Sequence, residues 1–385
     1  MNMTAQILNP EVLGSLLDRL GREAAQFRFE VAPNPCVGAA VLAAGEVIGI
    51  GFHETFGGPH AEIQAIAAAH ASGVPEAEWD TLAVTLEPCS TAGKTPPCVE
   101  AILNTGIRNV VVSQLDPNPD HKGRGLHMLE GAGLRVRVMD GISRLEDVSP
   151  HFLRWMANER VRRPRPWMIA KWAQTMTGQL SPPADVGEGR WISGPESQEE
   201  VQILRGKVDA MVTGVGTVMA DDPRLSVRAP GDTSKPPARV ILDAWLRTPP
   251  DARLFEVPGE GESSGPVFIL CLPGSNAVRW RALEESGATI VPIRGVDRQH
   301  LRLLDVQSWL SAQGYNRVLL ETGPTLLRRY LESGFVDQVR MITGNVRGGQ
   351  GDSLADWIQE AKLKQSVMRE CGMDSVMEAF LTLDY

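Results

Sequence analysis

The sequence predicts an α/β fold in two domains. Three observations carry that expectation. The chain has 385 residues, and single hydrophobic cores stop growing beyond about 250–300. Both halves alternate short β-rich runs with helical stretches, the pattern of a layered α/β architecture. Between the halves lies an interruption ending in Arg162-Arg163-Pro164-Arg165-Pro166, where two prolines forbid helix continuation and restrict the residues before them. An apolar fraction of 43% and a charged fraction of 22% are those of a globular chain.

In the first half, strands are expected over 37–43 and 46–52, joined as a hairpin at Ala44-Gly45. A helix of small residues follows over 61–71, then a strand over 81–87, a helix over 97–105 and a strand over 109–113. A helix over 125–133 and a strand over 134–139 complete a sheet with helices on its faces. Residues 1–148 are assigned to this domain, 149–166 to an Arg-rich linker and 167–385 to the second domain. There, strands are expected over 168–171, 210–214, 239–243, 267–272, 289–292 and 318–321, with helices over 199–206 and 325–333.

The net charge of -9 argues against a general affinity for nucleic acid, which needs a surplus of cations on one face. A small-molecule substrate fits better. The first twenty residues mix acids and bases among apolar residues, and no stretch reaches the length of a membrane span. Cys36, Cys89, Cys98, Cys271 and Cys371 are odd in number and scattered, a poor disulfide framework, so a reducing, cytoplasmic location is expected.

The strongest chemical signal is His60-Ala61-Glu62 followed by Pro88-Cys89 and Pro97-Cys98. One imidazole and two thiolates give a tetrahedral zinc three ligands and leave the fourth position for water, as a catalytic site requires. Zinc lowers the pKa of that water toward neutrality. Glu62, two residues beyond His60 at a helix start, is placed to shuttle protons while an amine-bearing ring carbon is attacked. Singly, each residue has a bland alternative: His-Ala-Glu is common on surface helices, and free cysteine is often buried. A structural zinc would need a fourth protein ligand, which His53 could supply; a substrate contact is the preferred role for His53.

Several motifs then resemble the deaminase half of the bifunctional riboflavin-biosynthesis deaminase-reductase family. They are Pro33-Asn34-Pro35-Cys36-Val37-Gly38, Gly51-Phe52-His53, Gly58-Pro59-His60-Ala61-Glu62, Glu87-Pro88-Cys89-Ser90, Gly93-Lys94-Thr95-Pro96-Pro97-Cys98 and Asp116-Pro117-Asn118-Pro119. The nine-residue step from Cys89 to Cys98 is the family's spacing. The resemblance implies a cytidine-deaminase-like α/β/α layer domain that hydrolytically deaminates a diaminopyrimidinone bearing a ribosylamino 5'-phosphate. It implies zinc on His60, Cys89 and Cys98, Glu62 as the proton-transferring residue, and substrate contacts from Asn34, His53, Lys94, Asp116 and Asn118. Thr91 stands where the family often has histidine.

In the second half, residue types alone leave the chemistry open: Val212-Thr213-Gly214-Val215-Gly216-Thr217 lacks the G-x-G-x-x-G fingerprint and is as compatible with a tight turn. The resemblance nevertheless extends through Lys171, Trp191-Ile192-Ser193-Gly194, Leu204-Arg205, Gly216-Thr217-Val218, Ala220 to Leu225, Arg228, Arg239 to Asp243 and Glu321 to Thr325. It implies a dihydrofolate-reductase-like α/β domain using NADPH to reduce the ribosyl group to ribityl. Ala173, Trp191, Thr217, Asp221 and Gly323 would line the cofactor. Arg205, Leu225, Arg228 and Glu321 would meet the substrate, the arginines as phosphate partners, with Lys171 near the sugar. Family members usually associate through this domain, so a homo-oligomer is expected. Departures are Thr177 in place of a carboxylate, Thr322 in place of a small residue, and no proline over 343–346. They motivate one rival, a working deaminase joined to a non-reducing second domain. A nucleic-acid-editing deaminase and a non-catalytic zinc protein are weaker rivals.

Overall fold

In the first half, strand residues alternate between two cores. The structure, a computed structural model, describes residues 9–31, 34–91, 96–119, 121–153, 156, 165–183, 192–228, 235–361 and 363–381. Strands β1 (Gly38–Ala43) and β2 (Glu46–Phe52) pair antiparallel. Their two-residue turn sets Ala44 at φ 50° and Gly45 at φ 88°, the left-handed geometry that short hairpins need and that glycine alone adopts freely. β3 (Trp79–Val84) joins β1 antiparallel, and β4 (Asn109–Val112) and β5 (Arg135–Val138) extend the sheet in parallel, giving the order β2-β1-β3-β4-β5.

Ala39, Val41, Leu82 and Val84 face a core shared with Ala61, Ala65 and Ala69 of helix Ala61–Ala71. Ala40, Leu42 and Ala83 face the other way, onto Leu13, Leu17 and Leu20. Small residues let helix Ala61–Ala71 sit close: a Cβ on Gly51 would lie 2.2 Å from the Ala65 nitrogen. The opposite face is covered by helix Pro10–Ala24, which was not among the expected elements. Its signal is present in the i, i+4, i+7 spacing of three buried leucines, each worth roughly 2 kcal/mol of burial. Phe152 and Met156, from the stretch assigned to a linker, also pack in the first core.

The chain divides into two compact units, Met1–Arg162 and Arg163–Tyr385. The second contains β6 (Trp167–Gln174), β7 (Gln179–Ser181), β8 (Ala210–Gly214), β9 (Ala238–Leu242), β10 (Val267–Cys271), β11 (Ala288–Pro292), β12 (Arg317–Leu320), β13 (Gln338–Thr343), β14 (Gln350–Ser353), β15 (Leu363–Cys371) and β16 (Asp374–Leu381). Nine of them form one sheet, β11-β10-β9-β8-β12-β6-β13-β16-β15. It is parallel through β13 and closes with the antiparallel hairpin β15/β16. β7 and β14 pair separately.

The parallel strands are nearly continuous apolar runs, as burial on both faces requires. Val240 and Leu270 face one core, Ile241 and Ile269 the other. The segment after β8 corrects one expectation. It is not a tight turn: Gly214 caps a helix, Val215–Asp221, that lies on the second face. The expected strands and helices of this unit are present with ends shifted by up to four residues. No helix among the described residues is long and apolar enough to cross a membrane.

Candidate active sites

Three local structures converge on one point in the first unit. His60 occupies the position before helix Ala61–Ala71 with extended backbone (φ -73°, ψ 160°). Cys98 opens helix Cys98–Leu103 behind Pro97, and Cys89 lies in the loop after β3. The ligand atoms of all three lie within 4.8 Å of one another. His60 Nδ1 is 3.6 Å from Cys89 Sγ and 3.3 Å from Cys98 Sγ, and the Cys98 backbone N–H donates to Cys89 Sγ at 3.3 Å. One imidazole nitrogen and two sulfurs at this separation suit a tetrahedral zinc with one position left over. The Cys98 hydrogen bond pulls Cys89 down to about 4, and bonding to Cys89 pushes Cys98 far up. His53 is not in the cluster.

Glu62 lies in the first turn of the same helix and is 3% exposed. Burial pushes its carboxyl up to about 7. His53 stacks edge-on against His60, ring centroids 5.3 Å apart. Its Nδ1 is 3.0 Å from the Pro59 carbonyl and its Nε2 is 3.2 Å from Asn34 Nδ2. Both contacts are satisfied by a neutral ring that donates from Nδ1 and accepts at Nε2, and burial lowers the His53 pKa accordingly. Asn34 is steadied from behind by His151, whose Nε2 lies 2.6 Å from its carbonyl oxygen. Lys94 lies outside the described residues.

Asp116 and Asn118 are half-buried in the loop after β4, where the Asn118 N–H donates to Asp116 Oδ1 at 2.8 Å. The residue that holds this loop is Glu87. Its buried carboxylate accepts backbone N–H bonds from Asp116 (3.1 Å), Gly123 (2.9 Å) and Gly125 (3.0 Å). Gly125 is sterically required there, since a Cβ would meet the Pro88 carbonyl oxygen at 2.2 Å. The sequence displayed Glu87 only as part of Glu-Pro-Cys. Nothing local marks a carboxylate whose partners are backbone groups some thirty residues downstream.

The second unit carries a cleft of about 1310 Å³. Every described residue expected to bind cofactor or substrate there lines it: Ala173, Thr217, Asp221 and Gly323, and Arg205, Leu225, Arg228 and Glu321. Trp191 lies outside the described residues. Lys171 lines the cleft too, and so do Trp245, Arg247, His300 and Arg329, which no motif had marked. Arg205 is not free as a phosphate partner. Its Nε and Nη2 donate to Glu321 at 2.8 and 2.9 Å, and its Nη1 to the Ser226 carbonyl at 3.2 Å. Lys171 Nζ reaches Glu321 Oε2 at 3.0 Å. Two cations on one carboxylate leave a surplus positive charge, still suited to an anionic ligand.

Burial opposes the Glu321 charge, but Arg205 and Lys171 outweigh it and hold the carboxyl well below the usual carboxylate range. A folded-state pKa below the unfolded one gives stability that is present above the unfolded value and lost as pH falls through the range beneath it. Melting of the second unit is therefore expected to become acid-sensitive below about pH 4. Glu321→Gln, which strands two cations, is expected to cost about 3 kcal/mol at neutral pH and to blunt that acid sensitivity. Denaturant midpoints across pH check both.

The departures have identifiable roles. Thr177 Oγ1 both accepts from the Gly348 N–H and donates to the Gly348 carbonyl, each at 3.0 Å, and it does not line the cleft. Thr322 Oγ1 accepts from the Gly214 N–H at 3.2 Å, and Thr217 Oγ1 accepts from the Gly323 N–H at 2.9 Å. These bonds tie the end of β8 and the helix after it to the loop after β12.

Residues 16–114 match the family model of the cytidine and deoxycytidylate deaminase zinc-binding region, and residues 166–377 match the RibD C-terminal domain. The riboflavin biosynthesis protein RibD of Aquifex aeolicus is 34% identical over 350 residues, 90% of this chain and 92% of the relative. The chain belongs to the RibD family. The Escherichia coli RibD is 33% identical over 323 residues, 81% of this chain and 82% of its own length. Among solved structures, Acinetobacter baumannii RibD aligns with a TM-score of 0.69 at 28% identity, covering 97% of this chain and 100% of that one. A Thermotoga maritima diaminohydroxyphosphoribosylaminopyrimidine deaminase/5-amino-6-(5-phosphoribosylamino)uracil reductase aligns with a TM-score of 0.68 at 26% identity, over 97% and 99%. This RibD chain is thus a bifunctional enzyme of riboflavin biosynthesis. It joins a zinc-binding domain of the cytidine and deoxycytidylate deaminase type to a RibD C-terminal reductase domain.

Proposed function

We propose that the chain carries out two consecutive reactions. The first is hydrolytic deamination of 2,5-diamino-6-(5-phosphoribosylamino)pyrimidin-4-one, assigned to residues 1–148. The second is reduction of the product's ribosyl group to ribityl, assigned to residues 167–385 beyond a linker over 149–166. The observation that carries this reading is a His/Cys/Cys cluster beside a buried carboxylate on the same chain as a cation-lined cleft, in a sequence matching RibD relatives over most of their length.

In the deaminase, His60, Cys89 and Cys98 would hold the zinc. When bound, it lowers the pKa of a coordinated water and so supplies a nucleophile at neutral pH. Glu62 would carry one proton from the attacking water to the ring nitrogen and then a second, from the added hydroxyl, to the departing amine as the carbonyl forms. Burial keeps water from competing for the proton. His53, neutral and fixed by Pro59 and Asn34, presents a constant face to the substrate. Asn34, Asp116 and Asn118 hydrogen-bond its edges, and Lys94 meets its phosphate.

In the reductase, NADPH supplies the hydride. Ala173, Trp191, Thr217, Asp221 and Gly323 position it, while Leu225, Arg228 and the Lys171/Glu321/Arg205 triad hold the ring-opened sugar phosphate. The reading carries with it a small phosphorylated pyrimidine as partner rather than nucleic acid or membrane, a homo-oligomeric enzyme, and action in the cytoplasm.

Chelation separates the two halves. Stripping zinc is expected to abolish ammonia release and to leave NADPH oxidation on pre-deaminated substrate unchanged, both followed by absorbance. Ammonia release that survives full chelation contradicts the deaminase assignment.

A further inference from the structure

Leu225 stands in the wall of the reductase cleft with φ at 52°, in the left-handed region, and is 4% exposed. Glycine adopts this conformation freely, and Asp or Asn can offset it with a side-chain hydrogen bond. Asp222, at φ 40° in the same loop, does so: its Oδ1 accepts from the Arg253 N–H at 2.9 Å. Leu225 has no polar group with which to do the same. Such a residue persists only when its surroundings over-determine it.

The surroundings here are specific. Arg239 Nη1 donates to the Arg224 carbonyl at 3.2 Å, and Arg205 Nη1 donates to the Ser226 carbonyl at 3.2 Å, so a guanidinium grips the chain on each side of Leu225. Val227 exchanges backbone bonds with Ser263, and the Arg228 N–H donates to Gln202 Oε1 at 3.0 Å. Arg205 already belongs to the Glu321 triad. Arg239 does not: it is 7% exposed, and among the described residues its partners are all carbonyls, those of Gly265, Leu254 and Arg224. A buried cation with no carboxylate beside it is a poor device for stability alone. A planar fork that fixes three loop carbonyls at once is a good device for geometry.

We propose that Arg239 is a positioning residue of the reductase: by gripping the Arg224 carbonyl it holds Leu225 in its left-handed conformation, and thereby sets the shape of the cleft wall that meets the substrate. This rests on the reductase reading given above. Lysine in its place keeps the charge but cannot reach three carbonyls in one plane.

The test is a double-mutant cycle on the full chain, Arg239→Lys and Leu225→Gly alone and together. It measures kcat and KM for the deaminated ribosylaminouracil phosphate, NADPH affinity, and ammonia release as an internal control. R239K is expected to raise that KM about tenfold, leaving kcat, NADPH affinity and ammonia release within about twofold. In the L225G background the same substitution is expected to change KM by less than about twofold, because glycine adopts the left-handed region without strain for the grip to offset. An equal KM penalty in both backgrounds overturns the proposal, as does an R239K chain that loses NADPH affinity in parallel or fails to fold in both backgrounds. A wild-type chain that oxidises no NADPH with this substrate overturns the reductase reading itself, a result distinct from additivity in the cycle.

Discussion

Replacing Glu62 with glutamine is expected to stop ammonia release while the chain still binds zinc. Glutamine keeps the shape and one hydrogen-bonding oxygen but cannot carry a proton between the attacking water, the ring and the leaving amine. General acid–base catalysis of this kind contributes about 10²- to 10⁴-fold, and a loss in that range is expected in kcat with little change in KM. Because Glu62 is buried and burial already disfavours its charge, the substitution is not expected to destabilise the fold. Zinc content measured alongside kcat separates loss of the proton carrier from loss of the metal. A Glu62→Gln chain that keeps both its zinc and more than about a third of its ammonia release would contradict the role.

The second large effect is expected at Glu87. Its carboxylate is the shared acceptor for three backbone N–H groups of the loop that carries Asp116 and Asn118. Hydrogen bonds to a charged group contribute about 1.5–3 kcal/mol each, and donors left buried without a partner cost a comparable amount. Glu87→Ala is therefore expected to cost roughly 5 kcal/mol locally and to release the loop from the Cys89 segment. Deaminase activity should fall by about a thousandfold, with NADPH oxidation on pre-deaminated substrate untouched. Hydrogen exchange of the Asp116, Gly123 and Gly125 amides should quicken in step. Glu87→Gln, which retains one acceptor oxygen, should fall between. Unchanged exchange at those amides would show that the loop is held by something else.

The metal cluster was legible in the sequence because its ligands sit beside strong local signals. Pro88 and Pro97 flank the cysteines, and a run of alanines announces the helix that begins after His60. Most parallel strands of the second unit were legible as apolar runs, whereas β13, parallel to β6, was not among the expected elements. What escaped has no local signature. Glu87 acts on backbone groups far along the chain, and Arg205 pairs with Glu321 only because β12 lies beside β8. The hairpin β15/β16 was missed because Val367 and Met368 are exposed, so β15 lacks a clean alternation of apolar and polar residues. The strained φ of Leu225 cannot be seen from a leucine. Two missed helices did carry local signals: Pro10–Ala24, with its leucine spacing and an Asn9 cap that accepts from the Glu11 N–H, and Ala277–Glu285, whose Asn276 cap accepts from the Val278 and Arg279 N–H groups.

The central claim is that one chain both deaminates and reduces the same molecule. Mass analysis of the product, after zinc-loaded protein acts on the diaminopyrimidinone ribosylamino phosphate with NADPH, tests it most directly. The account predicts a final product that has exchanged one amino nitrogen for oxygen and gained two hydrogens, with the deaminated species appearing first. A product that stops at the nitrogen-for-oxygen exchange while NADPH remains unoxidised would contradict it.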